Sequence, residues 1–333
     1  MFAKLRQRSV SLDAREIPVR SSRLRVLLGV VLAAALAAFS ASSVSAAAAA
    51  PESKHRTFPS AKAAVDALVA AADQYDVPAL LEILGPAGED LVRSEDPVLD
   101  KNMAKDFAEH AKEKLVVVPD KANPKRATVI VGTEDWPMPI PLVEIAGAWR
   151  FDTVAGKREI LMRRIGRNEL DAIQVCHGYV EAQEEYASEP RGGSKVVQYA
   201  QRVIATPNQQ DGLAWRDPDG TWRGPIGEKI AGAIAEGYTN KYEPYHGYYF
   251  KILKGQGPAA PLGQLDYVIR GLMIGGFALV AAPADYRVTG VKTFIVSNDG
   301  VVYEKDLGPK TLDAFRAMER FNPDNTWSPV QDQ

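Results

Sequence analysis

The sequence predicts an α+β protein whose C-terminal part is a long helix packed on an antiparallel sheet. Residues 275–308, GGFALVAAPADYRVTGVKTFIVSNDGVVYEKDLG, hold apolar runs separated by turn residues, which predicts three consecutive antiparallel strands. The pair Asp299-Gly300 lies between two of these runs, and it is a strong hairpin signal because both residues tolerate positive φ. Upstream, residues 167–187 form an amphipathic helical pattern whose apolar face needs such a sheet to cover it.

Residues 1–46 are typical of a secretory signal peptide. Seven Lys or Arg residues precede an uncharged apolar run at residues 26–39, and Val44-Ser45-Ala46 resembles a small-residue cleavage site. The alternative is a retained anchor, but this run is shorter than the roughly 20 residues that a spanning helix needs. We therefore expect export to the periplasm or cell envelope, with no stable membrane span after cleavage.

Charge and cysteine content narrow the class of protein further. Of the 40 basic and 42 acidic residues, residues 1–46 hold seven and two, so the remainder carries 33 and 40 and a net charge of −7. A mildly acidic chain argues against nucleic-acid binding. Cys176 is the one cysteine, so we expect no internal disulfide, and stability has to come from the core.

An N-terminal α+β subdomain is predicted over residues 57–165, after a linker at residues 47–56. Ser60 is a plausible N-cap for a helix that ends at Gln74. Helices are then expected at 79–84 and 102–114, and strands at 115–118, 127–131, 139–143 and 148–152. Helices followed by antiparallel strands indicate an α+β unit, and the order resembles the cone-shaped fold of nuclear-transport-factor-2-like domains. Such folds either hold a small ligand on a concave sheet or serve as interaction domains.

A second subdomain is predicted over residues 166–328. At 100° per residue, one broad apolar face of the helix at 167–187 is formed by Ala172, Ile173, Cys176, Tyr179, Val180, Tyr186 and Ala187. Short helices are expected at 195–204, with Ser194 as N-cap, and at 228–237. A strand is expected at 248–253 and a closing helix at 311–319.

Two sets of segments carry a family resemblance. The segment NELDAIQVCHGYVEAQEEY resembles the periplasmic helix of type IV pilins and pseudopilins, and GYYFKIL, GGFALVAAPADYRVTGVKTFIV and NDGVVY resemble the pilin sheet. As a whole, residues 57–328 resemble a bacterial exported family known as domain of unknown function 2950. The segments at 245–250 (YHGYYF) and 321–324 (FNPD) are specific to it. This resemblance implies export and a pilin-like C-terminal half, and it implies no activity.

One departure from the pilin pattern bears on function. In a true pilin an apolar membrane segment continues directly into the periplasmic helix and drives filament assembly. Here more than 100 residues separate the leader from Arg167, and residues 157–167 are strongly basic. We therefore expect a pilin-like fold without polymerisation.

Catalytic constellations are not predicted. Cys176 and His177 are adjacent on a helix and so point about 100° apart, and the thiol lies on the apolar face. The four histidines are scattered, which predicts neither a metal site nor a cofactor. Asp217 and Asp219 imitate a calcium loop, but Trp222 stands where the loop needs glycine. Ser194 lacks the flanking pattern of a nucleophile elbow.

The best candidate binding surface is aromatic. It comprises Tyr245, His246, Tyr248 and Tyr249, with Tyr242 beside them in sequence and Trp215 and Trp222 as possible neighbours. Rings with polar tips suit contact with a saccharide or a protein partner. The alternative is a turn that leads into a strand, with alternate rings buried.

These observations predict a non-enzymatic envelope protein that binds an envelope partner. Two alternatives remain open. One is an envelope hydrolase that acts on glycan or peptide at a cleft between the subdomains. The other is a carrier of a small ligand in the N-terminal cone.

Overall fold

The computed structural model describes residues 55–191, 193–226 and 244–331. It confirms an α+β fold with mixed helices and antiparallel sheets. The chain divides between Lys157 and Arg158 into two compact units. The predicted subdomain ranges 57–165 and 166–328 stay a prediction. The predicted signal peptide and the predicted helix at 228–237 lie outside the described residues.

The first unit begins with helices whose starts are set by side-chain caps. The Ser60 hydroxyl accepts a hydrogen bond from the Ala63 amide at 3.1 Å, as expected of an N-cap. Asp96 caps the fourth helix in the same way, and Pro97 occupies its first turn, so this helix begins five residues before the predicted position. The helices are α1 (Ala61–Gln74), α2 (Val77–Leu84), α3 (Glu89–Val92) and α4 (Pro97–Glu113).

A five-stranded antiparallel sheet completes this unit. Its strands are β1 (Leu115–Pro119), β2 (Arg126–Val131), β3 (Trp136–Pro137), β4 (Leu142–Ile145) and β5 (Ala148–Phe151). The order is β1-β2-β4-β5, and β3 pairs with the other end of β2. Alternate residues of β2 are buried against the helices, which gives the unit a core of its own.

A 34-residue helix, α5 (Thr153–Tyr186), follows. The sequence predicted its start at Arg167, 14 residues too late. The Asp152 carboxylate accepts from the Ala155 amide at 3.0 Å and so caps the true start. The basic stretch that follows, residues 157–167, is helical, and Glu159 pairs with Arg163 one turn later at 2.8 Å.

The C-terminal sheet has the predicted antiparallel succession. Its strands are β8 (Tyr248–Leu253), β13 (Ala278–Pro283), β14 (Lys292–Ser297), β15 (Tyr303–Asp306) and β16 (Ser328–Pro329), in the order β16-β15-β14-β13-β8. Gly300 has φ of +74° at the predicted hairpin turn. Strand β13 ends at Pro283, whose missing amide cannot extend the ladder. The closing helix α6 covers Thr311–Ala317.

The apolar face of α5 is covered by this sheet, as predicted. Ala172, Cys176, Tyr179 and Tyr186 are buried in one cluster with β8, β13 and β14 residues. The Tyr179 ring meets the Phe277 ring edge-on, with centroids 5.6 Å apart. Gln183, which the pattern analysis did not single out, is also fully buried.

The segment at 195–204 is not the helix that the sequence predicted. Its main chain bonds to other segments instead of to itself. The Tyr199 amide donates to the Met273 carbonyl at 2.8 Å, and Gln183 bonds both main-chain groups of Ala200. Ser194 therefore caps no helix, and its hydroxyl accepts from the Val196 amide in a local turn.

Short two-residue strands fill the remaining part of the second unit. They are β6 (Trp215–Arg216), β7 (Trp222–Arg223), β9 (Gly255–Gln256), β10 (Leu265–Asp266), β11 (Val268–Ile269) and β12 (Leu272–Met273). They pair as hairpins β6-β7 and β11-β12 and as the ladder β9-β10. Across residues 55–191, 193–226 and 244–331, no helix combines the length and apolar character needed to cross a membrane.

Candidate functional site

A tight turn places Tyr245 and His246 at the start of β8. Tyr245 and Tyr248 exchange main-chain hydrogen bonds of 3.0 and 2.9 Å. The two residues between them, His246 and Gly247, have φ of +48° and +77°, the pattern of a two-residue hairpin turn with positive φ at both positions. A Cβ at position 247 would lie 2.7 Å from the Asn168 amide nitrogen, so the site requires glycine.

Two neighbouring groups hold the imidazole of His246, one at a ring nitrogen and one against the face of the ring. Its Nδ1 lies 2.7 Å from a carboxylate oxygen of Asp171 on α5, and the Tyr245 ring stacks on it with centroids 4.2 Å apart. A carboxylate accepts hydrogen bonds, so this pairing places a proton on Nδ1. Burial raises the pKa of the Tyr245 phenol, and the Asp171 charge raises it further.

Two more polar side chains of α5 fix the adjoining loop. The Asn168 amide donates to the Thr289 carbonyl at 2.8 Å. One Glu169 oxygen accepts from the amides of Val291 and Lys292 at 2.8 and 3.0 Å. The middle of α5 is thus bonded to the Tyr245–His246 turn and to the entry of β14, which restricts the conformations open to the turn.

At 100° per residue Asp171 falls opposite the apolar face of the helix, so periodicity alone gives it no role in the site. Its partner His246 is 75 residues further along the chain. The available signal was the run of polar residues at 168, 169 and 171 directly before the apolar face begins. Such polar side chains at the edge of a buried face commonly bond to the neighbouring element.

The other predicted aromatic residues are dispersed. Tyr248 is fully buried, its hydroxyl donates to the Lys292 carbonyl at 2.9 Å, and burial raises its pKa. Tyr249 points to the other side of β8, where its ring lies 6.5 Å from that of Phe315. The alternation of a strand thus divides the predicted cluster, and Tyr242 lies outside the described residues.

Trp215 and Trp222 belong to the separate β6-β7 hairpin. Trp215 is buried with the Arg191 guanidinium 5.5 Å from its ring, and Trp222 is half-buried with Arg216 at 4.6 Å. Asp219 accepts from the Thr221 amide at 2.9 Å in the turn of this hairpin. These contacts are those of a structural hairpin with arginine–indole stacking.

Cys176 is fully buried, and burial raises the pKa of its thiol to about 12. A nucleophilic cysteine needs the opposite shift, because the thiolate is the reactive form. Among the residues that the structure describes, no group of three or more His, Cys, Asp or Glu side chains is placed to hold a metal ion.

Each unit has a cavity among its described residues. The first unit encloses about 70 Å³ between its helices and the sheet, lined almost wholly by apolar side chains such as Leu68, Phe107 and Ile140. The second unit has an open polar cleft of about 270 Å³ between the β13-β14 loop and α6, lined by Tyr286, Lys310 and other side chains.

Fold and site together define an α+β protein in which a long helix holds an exposed aromatic–imidazole turn at the start of β8. The comparisons place it more narrowly. Residues 55–330 match the family model described as "Protein of unknown function (DUF2950)", and the chain therefore belongs to that family. No curated protein and no solved structure matched the chain, so the likenesses to pilins and to cone-shaped domains stay predictions.

Proposed function

We propose that the protein is exported to the cell envelope and binds a partner protein there through the Tyr245–His246 turn, without catalysing a reaction. The observation that carries this proposal is that an exposed turn is held in place. We call the contacts of His246 with Asp171 and with the Tyr245 ring the clamp. The His246 side chain is 46% exposed while Asp171 and the Tyr245 ring fix its position. A rigid aromatic surface loses little conformational entropy on binding, which favours affinity.

Exposed apolar side chains next in sequence to residues that bond to or near this turn support a protein as the ligand. Leu170 and Val288 precede Asp171 and Thr289 in the chain, and both are exposed, by 49% and 38%. Interfaces commonly combine such apolar area with tyrosine and with a few fixed polar groups. The turn offers both kinds of contact.

The two alternative functions have less support. A small-ligand carrier is favoured by the apolar cavity of the first unit, but about 70 Å³ is less than half of the roughly 150 Å³ that accepts benzene in an engineered cavity. A hydrolase with a cysteine nucleophile is disfavoured by the raised pKa of Cys176. Hydrolysis by other groups stays a prediction.

Cross-linking in intact cells, followed by purification of the tagged protein, tests the proposal. We expect one specific envelope protein to be captured by the wild type and at least about tenfold less by Tyr245→Ala, since a single aromatic anchor is worth roughly 2 kcal/mol or more. His246→Asn keeps a residue that tolerates positive φ and should also reduce capture. Trp222→Ala is the control and should capture normally. Equal capture by all four proteins, or recovery of the wild type without a partner, would contradict the proposal.

A further inference from the structure

Strand β1 is an edge of the first sheet, and its hydrogen-bonding pattern shows which groups face outward. The Gly132 amide donates to the Lys114 carbonyl, and the Asp120 amide donates to the Arg126 carbonyl, both at 2.9 Å. Along two antiparallel strands, residues that lie directly opposite each other alternate between hydrogen-bonded pairs and pairs without main-chain hydrogen bonds. Lys114 and Asp120 belong to hydrogen-bonded pairs. Leu115, Val117 and Pro119 therefore direct their main-chain groups away from β2. In the described part of the chain, no backbone group bonds to Leu115 or Val117 on that side.

This edge lacks most of the features that protect edge strands. Its centre is three consecutive valines, and Val116 and Val118 are 42% and 44% exposed. Natural edges usually carry a charge, a bulge or a proline in such a stretch. Here the one proline, Pro119, stands at the very end of the strand, so the main-chain groups of Val117 remain able to pair.

The charges that flank the strand are complementary under a two-fold rotation. The sequence from Lys114 to Asp120 is KLVVVPD. When a second copy of the strand is placed antiparallel with the two Val117 residues opposite each other, Lys114 of each copy faces Asp120 of the other. Val116 and Val118 then face each other, and so do Leu115 and Pro119.

We propose that β1 pairs with β1 of a second copy of this chain, antiparallel and centred on Val117. In this register the two Val117 residues exchange both main-chain hydrogen bonds, and Leu115 donates to the Pro119 carbonyl of the other copy. The missing amide of Pro119 falls where the ladder ends. The Lys114–Asp120 pairs lie on the same face as the exposed valines, because alternate residues of a strand point to the same side of the sheet and these positions are all even-numbered.

The self-complementary charges identify the occupant as a second copy, since an unrelated strand has no reason to match them. A two-fold interface is self-complementary by construction. Within one chain, Lys114 and Asp120 are six residues apart on an extended strand, about 20 Å, so they cannot pair with each other. Their complementarity has a physical effect only between copies.

Two charge reversals test this contact directly. Lys114→Glu places like charges opposite each other in its homodimer, and so does Asp120→Lys. When the two variants are mixed, the heterodimer has both cross-strand pairs attractive again. Sedimentation equilibrium of the full chain, as the cell processes it, measures the dissociation constant of each homodimer and of the mixture at low salt.

We expect a wild-type dimer, about tenfold weaker dimers for each variant alone, and a mixture within about threefold of the wild type. Lys114 also pairs with Asp135 at 2.5 Å, and Asp120 accepts from the Ala122 amide at 2.8 Å, so the thermal stability of each variant is measured in parallel. Loss of these contacts within one chain cannot produce recovery on mixing.

Val117→Pro provides an independent variant. It removes an amide that faces the second copy and none that bonds to β2, so we expect at least about 100-fold weaker association with cooperative unfolding retained. A wild type that is monomeric at 100 μM, or variants that fail to recover on mixing, would overturn the proposal. A wild-type dimer that is unchanged by Val117→Pro would also overturn it.

Discussion

Cys176 shows at the scale of one residue how burial makes stability depend on pH. The ordinary pKa of the thiol, 9.0, applies to the unfolded chain, and the folded value is raised to about 12. Below pH 9 both states keep the proton, so the stabilisation is fully present. Between pH 9 and pH 12 only the unfolded state loses the proton, so stability falls as the pH rises.

We therefore expect the free energy of unfolding to fall by about 1.4 kcal/mol more in the wild type than in Cys176→Ala between pH 8 and pH 10. Urea titrations at both values measure this. The variant controls for tyrosines such as Tyr267, whose pKa burial also raises to about 12. Parallel pH profiles for the two proteins would show that the thiol is not buried.

Gln183 is a second residue whose contribution to the free energy of unfolding depends on burial. Its amide bonds to both main-chain groups of Ala200 and to the Tyr179 hydroxyl at 2.8–2.9 Å. Gln183→Ala removes the hydrogen bonds to the buried main-chain N–H and C=O of Ala200 and should cost about 2–4 kcal/mol of unfolding free energy. Gln174→Ala, on the exposed side of the same helix, should change it by less than about 0.5 kcal/mol. Chemical denaturation of the two variants measures both changes in unfolding free energy. Equal changes would contradict a buried, hydrogen-bonded Gln183.

Between elements, the middle of α5 is joined to the C-terminal sheet through Glu169. Its carboxylate accepts from two main-chain amides at the entry of β14. Charge-assisted bonds of this kind are worth about 1.5–3 kcal/mol, so Glu169→Ala should lower stability by that amount and Glu169→Gln by less. Glu181→Ala, which removes an exposed carboxylate, is the control. Thermal melts of the three variants measure the difference; a Glu169→Ala melt matching that of Glu181→Ala would argue against this anchor.

The elements that the sequence predicted well are those with local signals. The Ser60 cap, the strand at 248–253 and the hairpin at Asp299-Gly300 each depend on neighbouring residues. The segment at 195–204 has a helical composition, but Gln183 and Met273 supply its hydrogen bonds from elsewhere. Tertiary contacts overrode local propensity there. The early start of α5 depends on the Asp152 cap, a single hydrogen bond to the Ala155 amide that the apolar periodicity of residues 167–187 does not indicate.

The candidate site shows the same limit. The sequence indicated Tyr245 and His246 as members of an aromatic surface, but it did not indicate which of the neighbouring rings would be buried. Strand alternation buries Tyr248 and sends Tyr249 to the other face, a division that depends on the register of β8. The pairing of His246 with Asp171 depends on how the helix packs, which periodicity alone does not give.

For the whole molecule, we propose that the N-terminal segment directs the protein to the cell envelope. Residues 1–46 carry the pattern of a signal peptide, with cleavage expected after Ala46. We expect intact-mass and N-terminal analysis of the protein from its native cells to show a chain that begins at Ala47. A chain that retains Met1 and fractionates with the cytoplasm would contradict export.

The apolar face of α5 lies beneath the C-terminal sheet, and the hydrogen bond that holds the Tyr245–His246 turn depends on this packing. The edge-on contact between the rings of Tyr179 and Phe277, 5.6 Å between centroids, reports on it directly. Selective protonation of tyrosine and phenylalanine rings in a deuterated chain allows nuclear Overhauser effects between them to be measured. We predict a strong cross-peak between Tyr179 and Phe277 that Phe277→Leu removes. Its absence in the wild type would contradict the packing of α5 on the sheet.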